Sequence, residues 1–105
     1  MKMVRAIIRP QKTEDVVDAL EADGYVALTK MDVAGRGKQK ALKVGSVYYD
    51  ELPKTMLMLV TEDEKVEEII EIISKAAYTG NPGDGKIFVS QVDTAYTIRT
   101  GVEGV

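Results

Sequence analysis

The segment from Gly80 to Ile87 combines glycine and lysine in a pattern that suits the binding of a phosphate. Gly80 and Gly85 stand five positions apart, and Lys86 follows directly. Successive glycines expose backbone N–H groups, and the lysine adds positive charge. The segment nearly matches the phosphate-binding P-loop. However, Ile87 replaces the serine or threonine that would hold magnesium. The segment also runs from a helix into a strand, whereas a P-loop runs from a strand into a helix. The pattern argues against a P-loop NTPase, and a tight structural turn is an equally good interpretation.

Two further segments contain residues that could bind an anion. The stretch from Gly35 to Lys40 holds two glycines, which let the backbone approach a ligand closely, beside two lysines and one arginine. By itself it is more typical of a solvated basic loop. Arg99, near the end of the sequence, is a fork donor suited to phosphate, although one arginine is weak evidence. The pair Tyr48–Tyr49 could anchor a partner protein or simply pack within a hairpin.

Composition excludes several classes of function. The chain has 105 residues with no cysteine and no histidine, so thiolate metal sites, disulfides and histidine-dependent catalysis are ruled out. The net charge of −3 argues weakly against a general nucleic-acid binder. No apolar run approaches the roughly 20 residues that cross a bilayer, and no signal peptide is visible. We therefore expect a cytoplasmic protein without stable membrane insertion.

The candidate segments must be positioned by strands and helices that the apolar pattern predicts. A first strand over Val4–Arg9 is followed by a helix that Thr13 caps and Gly24 ends. A second strand is predicted over Tyr25–Val33. The polar, glycine-containing stretch Gly35–Glu51 follows as a long loop without regular structure, which in a small domain is usually functional or mobile.

The second half of the chain repeats the order of strand, helix and strand. A third strand is predicted over Leu52–Val60, and Thr61 to Glu64 fits a capping box for a second helix that ends near Tyr78. A fourth strand covers Lys86–Val92, and the tail over 93–105 shows no clear element. This order is that of the ferredoxin-like βαββαβ sandwich, an α+β fold. Two helices cover one face of its sheet, so the other face requires a partner copy.

The whole chain resembles the PII signal-transduction proteins in order and length. The resemblance rests on four segments that occur in the family's order: Gly35-x-Gly37-Lys38-Gln39-Lys40, Leu52-Pro53-Lys54, Thr79-x-x-x-Gly83-Asp84-Gly85-Lys86-Ile87-Phe88-Val89, and Arg99-Thr100-Gly101. The third is similar to the family's C-terminal signature and is the most specific. The resemblance implies one PII-like domain over 1–105, with a signalling T-loop at about 36–51 and a C-terminal tail at about 93–105.

The family's biology, carried over by resemblance, is that of a trimeric, non-enzymatic sensor with nucleotide sites between subunits. ATP or ADP, 2-oxoglutarate and magnesium are the implied ligands. The positions that match its nucleotide site are Ile7, Thr29, Gly35, Gly37, Lys38, Gln39, Val60, Gly83, Asp84, Gly85, Lys86 and Arg99. Arg9, Gln39 and Lys54 match residues near 2-oxoglutarate, and Gln39 matches the ligand of a magnesium ion shared by both molecules.

Some positions depart from the usual family pattern. Thr97 replaces a phosphate-contacting arginine, and Met58 replaces a glutamate. The T-loop is short, and its modification motif is reduced to Val44–Tyr48, which argues against uridylylation of Tyr48. The short loop and the segments Tyr48–Lys54 and Ala95–Arg99 resemble the nitrogenase-linked PII subgroup of archaea and some anaerobes, in which two different PII-like chains act together. This chain resembles the first member of such a pair. The implied assembly is therefore a homotrimer or a hetero-oligomer, and the implied target is nitrogenase or its regulator.

Other functions are compatible with some of these residues. Another PII target, an ammonium channel or glutamine synthetase, is the first alternative. A small ferredoxin-like enzyme such as an acylphosphatase needs a catalytic asparagine, and the only asparagine, Asn81, lies in the glycine turn. An RNA-binding module would stack bases on sheet aromatics, but Phe88 is the only phenylalanine and no strand is rich in aromatics. A trimeric metal-tolerance protein of similar fold would not explain the two glycine–lysine segments.

Overall fold

The described part of the chain forms eight strands and helices. The computed structural model describes residues 1–36, 42–44, 47–49 and 51–105, with the backbone alone in the two short middle ranges. The elements in chain order are β1 (Lys2–Ile8), α1 (Thr13–Ala22), β2 (Thr29–Gly35), β3 (Leu42–Val44), β4 (Val47–Tyr49), β5 (Leu52–Thr61), α2 (Val66–Ala77) and β6 (Gly85–Gln91). A single turn of 3₁₀ helix precedes each α-helix, at Pro10–Lys12 and at Asp63–Lys65.

The main sheet has four antiparallel strands in the order β2-β5-β1-β6. The two central strands, β1 and β5, are those that precede the two helices, and each helix returns the chain to an outer position of the sheet. This order confirms the predicted ferredoxin-like α+β fold. A separate two-stranded ladder of β3 and β4 lies within the stretch predicted to have no regular structure.

One face of the sheet is buried beneath the helices. Alternate residues of β1 and β5 are buried there, because successive side chains of a strand point to opposite faces. The helices contribute apolar residues spaced one turn apart. The cluster of buried residues is Val4, Ala6, Ile8, Val16, Leu20, Leu57, Leu59, Ile69, Ile73 and Ala77. Complete burial of each valine, leucine or isoleucine side chain stabilises the fold by about 1.5–3 kcal/mol.

The opposite face of the sheet, which we call the outer face, is only partly buried. The register places Met58, Arg5 and Phe88 side by side across β5, β1 and β6. The next row contains Met31, Met56 and Ile7, and 49% of the Phe88 surface is exposed. Large apolar side chains therefore line a face that neither helix covers, as the count of helices predicted.

Two predicted caps are wrong. Thr13 is the first residue of α1, and its hydroxyl donates to that of Thr55 in the core at 2.9 Å instead of capping the helix. Thr61 is likewise a buried strand residue, because a 3₁₀ turn starting at Asp63 intervenes before α2. The predicted end of the first helix is confirmed: Gly24 follows the C-cap at φ +91° and donates to the carbonyl of Glu21 at 2.9 Å.

Other boundaries also differ from the sequence predictions. The second strand begins at Thr29 rather than at Tyr25, because Tyr25 turns back to the helices and its hydroxyl donates to Glu68 at 2.7 Å. The tail contains a small closed hairpin, in which Tyr96 pairs with Glu103. The Thr97 N–H donates to the Val102 carbonyl at 2.9 Å. Neither the position of Tyr25 nor the hairpin in the tail produces a periodic spacing of apolar residues, so the sequence does not predict them.

Candidate functional site

The glycine turn between α2 and β6 is the centre of the candidate site. Helix α2 ends at Ala77, and the backbone then adopts positive φ at Gly80, Gly83 and Gly85, at +88°, +100° and +108°. Residues with a Cβ rarely adopt such angles, which explains why glycine occupies these positions. The N–H of Asp84 donates to the carbonyl of Asn81 at 3.3 Å. The glycines therefore fold the segment into a tight turn directly before β6.

The carboxylate of Asp84 holds this turn together from inside. Its Oδ2 accepts hydrogen bonds from the backbone N–H groups of Thr79 at 2.8 Å and Gly80 at 2.9 Å. Its Oδ1 accepts from the Thr79 hydroxyl and from Nε of Arg9, the latter at 3.2 Å. The Thr79 hydroxyl also accepts from the N–H of Asn81 at 3.2 Å. The Asp84 carboxylate thus accepts four hydrogen bonds.

Two basic side chains from the sheet reach the same turn. Arg9 directly follows β1 and donates from Nη2 to the carbonyl of Pro82 at 2.7 Å. Lys54 lies in β5 and donates from Nζ to the carbonyl of Gly83 at 2.7 Å. Two of the three residues that the resemblance assigned to 2-oxoglutarate are therefore brought together at the turn assigned to phosphate. Each cation is bonded to a neutral carbonyl, an acceptor that an anionic ligand would outcompete.

The electrostatics of the cluster follow from these contacts. The hydrogen bonds from Thr79, together with those from Gly80 and Arg9, hold the pKa of Asp84 well below its usual range, so this carboxylate is anionic at neutral pH. Partial burial lowers the pKa of Lys54, and the nearby charge of Arg9 lowers it further, while Asp84 opposes this shift. Two cations thus share a small, partly desolvated region in which a single carboxylate offsets part of their charge.

Several predicted nucleotide residues lie on the outer face, at different distances along the strands from this cluster. Ile7 and Lys86 are cross-strand partners on β1 and β6. Thr29 begins β2 opposite Met58, and Val60 lies opposite Met3. By the alternation of the strands, these residues share one face with Arg9 and Lys54. The outer face therefore joins the glycine turn to most of the positions that the resemblance assigned to ligands.

The other predicted site residues are less closely connected. Gly35 ends β2 opposite Leu52, at the start of the T-loop. Arg99 lies in an exposed turn of the C-terminal hairpin, which the N–H of Gly101 closes on the carbonyl of Thr97 at 2.7 Å. Gly37, Lys38 and Gln39 lie outside the described residues. The predicted T-loop at 36–51 is likewise described only in part.

Sequence reasoning missed the role of Thr79. The signature contains Thr79 without indicating a role for it, and the resemblance implies a ligand contact for Asp84. The signal was present in their spacing. An aspartate five positions after a threonine, with glycines between, can bond back to the intervening backbone N–H groups. The carbonyls of Pro82 and Gly83, which hold the two cations, could not be identified from residue types.

Comparison with known proteins identifies the family to which this arrangement belongs. A sequence model described as "Nitrogen regulatory protein P-II" matches residues 1–102. The chain belongs to the PII family. The ferredoxin-like sheet and the glycine turn are thus features of a PII protein, and membership gives the chain a nitrogen-regulatory role.

Relatives of this PII protein occur in methanogenic archaea. "Nitrogen fixation nifHD region glnB-like protein 1" of Methanococcus maripaludis is 69% identical over 95% of each chain. The protein of the same description in Methanobacterium ivanovii is 63% identical over 100% of each chain. "Nitrogen regulatory protein P-II 2" of Methanothermobacter thermautotrophicus is 48% identical over 99% of this chain and 94% of its own.

The described residues of this PII protein also bear on other kinds of site. Across residues 1–36 and 51–105 and the two short ranges between them, no helix is long and apolar enough to cross a membrane. The same part of the chain contains no group of three acidic side chains arranged to hold a metal ion. Gln39, the predicted magnesium ligand, lies outside it.

Proposed function

We propose that this PII protein senses nitrogen status by binding ATP or ADP together with 2-oxoglutarate and, as a non-enzymatic cytoplasmic protein, regulates nitrogenase through contacts of its T-loop. The observation that carries the proposal is the convergence of Arg9 and Lys54 on the carbonyls of the glycine turn. Arg9 and Lys54 form one site for an anion, and the glycine turn with Lys86 forms a second site next to it.

The charge and shape of 2-oxoglutarate suit the two cations. The molecule carries two carboxylates, and hydrogen bonds between ionised partners are roughly twice as strong as those to neutral acceptors. A carboxylate would therefore displace the carbonyls of Pro82 and Gly83 from Arg9 and Lys54. Phosphates would bind at Gly83–Lys86, because glycine N–H groups and a lysine favour them. Gln39 would hold the magnesium ion that joins the two ligands.

The outer face supports an assembly with nucleotide sites between copies. Phe88 and Met31 are 49% and 38% exposed there, and burying such side chains against another copy is favourable. Ile7, Thr29 and Val60 lie on the same face, so a partner chain packed against it would enclose a ligand next to them. We favour a trimer, composed of this chain alone or with a second PII-like chain.

The assignment of nitrogenase as target rests on the relatives. Proteins that are 69% and 63% identical carry names that place them in a nitrogen-fixation nifHD region, and those names number them as the first of a series. A population shift would explain the switching. ATP with 2-oxoglutarate favours a T-loop conformation that does not dock, and loss of 2-oxoglutarate restores docking. An ammonium channel or glutamine synthetase is the alternative target.

Calorimetry tests the ligand part of the proposal. Titration of 2-oxoglutarate should give tighter binding in the presence of Mg-ATP than without it, and ATP should bind more tightly with 2-oxoglutarate by the same factor, since linkage is reciprocal. Lys86→Ala should weaken ATP binding by roughly 1–3 kcal/mol, the range for a lost charge-assisted contact. Lys75→Ala, an exposed lysine on α2, is the matched control. Equal 2-oxoglutarate affinities in the two titrations would contradict the linked sites.

A pull-down tests the target. With 2-oxoglutarate absent, the intact protein should retain a nitrogenase component or its regulator, and adding 2-oxoglutarate with Mg-ATP should release it. Replacing both Tyr48 and Tyr49 by alanine should reduce recovery, because tyrosine side chains commonly anchor such contacts. Recovery of a channel or synthetase without any nitrogenase component would support the alternative target and leave the ligand proposal intact.

A further inference from the structure

We propose that Thr79 and Asp84 form a positioning pair: they orient Arg9 and fix the glycine turn for ligand binding without contacting the ligand themselves. The inference rests on the proposed function. It assigns a role to Thr79, for which the sequence and the resemblance predict none. It also changes the role of Asp84 from a ligand contact to a residue that acts through its neighbours. The geometry of the Asp84 carboxylate leads to this assignment.

Asp84 is unsuited to contact a phosphate. Its carboxylate is anionic and would repel the negative charge of a phosphate at close range. Its acceptor capacity is already used by donors from Thr79, Gly80 and Arg9. A group satisfied in this way stabilises the turn from the inside. Binding of an anion must then be carried out by the cations and N–H groups that the carboxylate holds in position.

Arg9 receives its orientation from this carboxylate. The Nε–H points at Asp84, which fixes the plane of the guanidinium and directs Nη2 towards the carbonyl of Pro82. Close packing supports the same orientation, because a Cβ on Gly83 would lie 3.1 Å from Nη2 of Arg9. Only 28% of the Arg9 side chain is exposed, so few other orientations are available to it. A guanidinium held in this way loses little conformational entropy when a carboxylate ligand replaces the carbonyl.

The Thr79 hydroxyl connects the two ends of the turn. It donates to Oδ1 of Asp84 at the end of the turn and accepts from the N–H of Asn81 at its beginning. Valine has the same shape but can do neither. Serine retains the hydroxyl and loses only the methyl group. The two substitutions therefore separate the hydrogen bonds of Thr79 from its packing.

The test compares Thr79→Val with Thr79→Ser by calorimetry and by NMR of the ligand-free protein. We expect Thr79→Val to weaken 2-oxoglutarate binding in the presence of Mg-ATP by about tenfold or more, the effect of one lost hydrogen bond to a charged group. Thr79→Ser should restore most of that affinity. In the NMR spectrum, the Nε–H of Arg9 should exchange slowly with solvent in the wild type and in Thr79→Ser, and faster in Thr79→Val.

The possible outcomes distinguish this inference from the proposed function. Wild-type affinity in Thr79→Val, or equal losses in the serine and valine variants, would overturn the positioning role. A wild-type protein that binds neither ATP nor 2-oxoglutarate would instead refute the proposed function. In that case, the Arg9 exchange measurement still decides the inference, because unchanged exchange in Thr79→Val means that Thr79 does not orient Arg9. A circular-dichroism melting curve checks that each variant is folded.

Discussion

Gly85 lies so close to Ile7 that a Cβ on it would stand 1.7 Å from the Ile7 carbonyl oxygen. The contact is between backbones of paired strands, so no side chain can move aside to relieve it. The strand β6 can therefore pair with β1 at this level only because residue 85 is glycine. The glycine turn is thus tied to the register of the sheet as well as to the proposed ligand site.

This contact predicts a large difference between two glycine substitutions. Gly85→Ala should lower the free energy of unfolding by about 3 kcal/mol or more, because backbone strain is added to a direct overlap. Gly104→Ala is the control, since Gly104 has a similar φ of +114° but open space around its Cβ position. Gly104→Ala should lower the free energy of unfolding by about 1 kcal/mol, because only the positive φ is unfavourable there. Urea denaturation measures both, and equal losses would show that the overlap is relieved elsewhere.

The buried hydroxyl pair of Thr13 and Thr55 gives a second prediction. Replacing either threonine by valine leaves the other hydroxyl buried without its partner and should cost about 1–3 kcal/mol of unfolding free energy. Replacing both removes the unsatisfied group, so the double variant should be more stable than the sum of the single losses predicts. A double-mutant cycle by urea denaturation checks this. Simple additivity would mean that the hydroxyls do not interact.

The hydroxyl of Tyr25 should titrate above its ordinary range. The hydrogen bond to Glu68 raises the pKa of Tyr25 from 10.0 to about 12, because it favours the neutral phenol beside a carboxylate. A raised pKa in the folded state contributes stability that is present below pH 10 and is lost as the pH rises through about 12. The absorbance of tyrosinate should show a step near pH 12 that is missing in Tyr25→Phe. A difference between the two proteins centred near pH 10 would contradict the contact.

The outer face should control assembly. Phe88→Glu places a charge in the row formed by Arg5 and Met58, so an assembly that buries this face should dissociate. Val26→Glu is the matched control, because Val26 is 67% exposed and lies outside the strands. Sedimentation velocity should show a trimer for the wild type and Val26→Glu, and a smaller species for Phe88→Glu. A stable monomer of the wild type at micromolar concentration would count against the assembly.

The elements that bury apolar side chains could be predicted from the sequence, and those held by polar contacts could not. Alternation of apolar residues located β1 and β5, and helical spacing located α2, because burial imposes those periods. Thr13 and Thr61 have the residue type of a helix cap, but the chain uses them inside the core, where tertiary packing overrides a local preference. Tyr25 has a residue type that is common in strands, and its hydrogen bond to Glu68 explains why it lies outside β2.

The fold brings together several residues that the sequence predicted for one site, and their binding roles stay predictions. Arg9 and Lys54 were expected near one ligand and Gly83 near another, and the fold places all three together. The direction in which the Asp84 carboxylate points could not be predicted, since its type suits a ligand contact and a turn equally well. A role that depends on which atom faces which partner is determined by the three-dimensional arrangement and cannot be predicted from residue type.

The pairing of the strand β1 has a consequence for how the chain folds. Lys2 pairs with Gln91, 89 positions later, and with Thr61 on the other side. The sheet therefore closes only after most of the chain is available, and each pairing of β1 must overcome the entropy of closing a long loop. Proteins dominated by such distant contacts fold more slowly than helical proteins of the same length. We expect refolding to be limited by the joining of β1 and β6, and the glycine turn to form only when that step is complete.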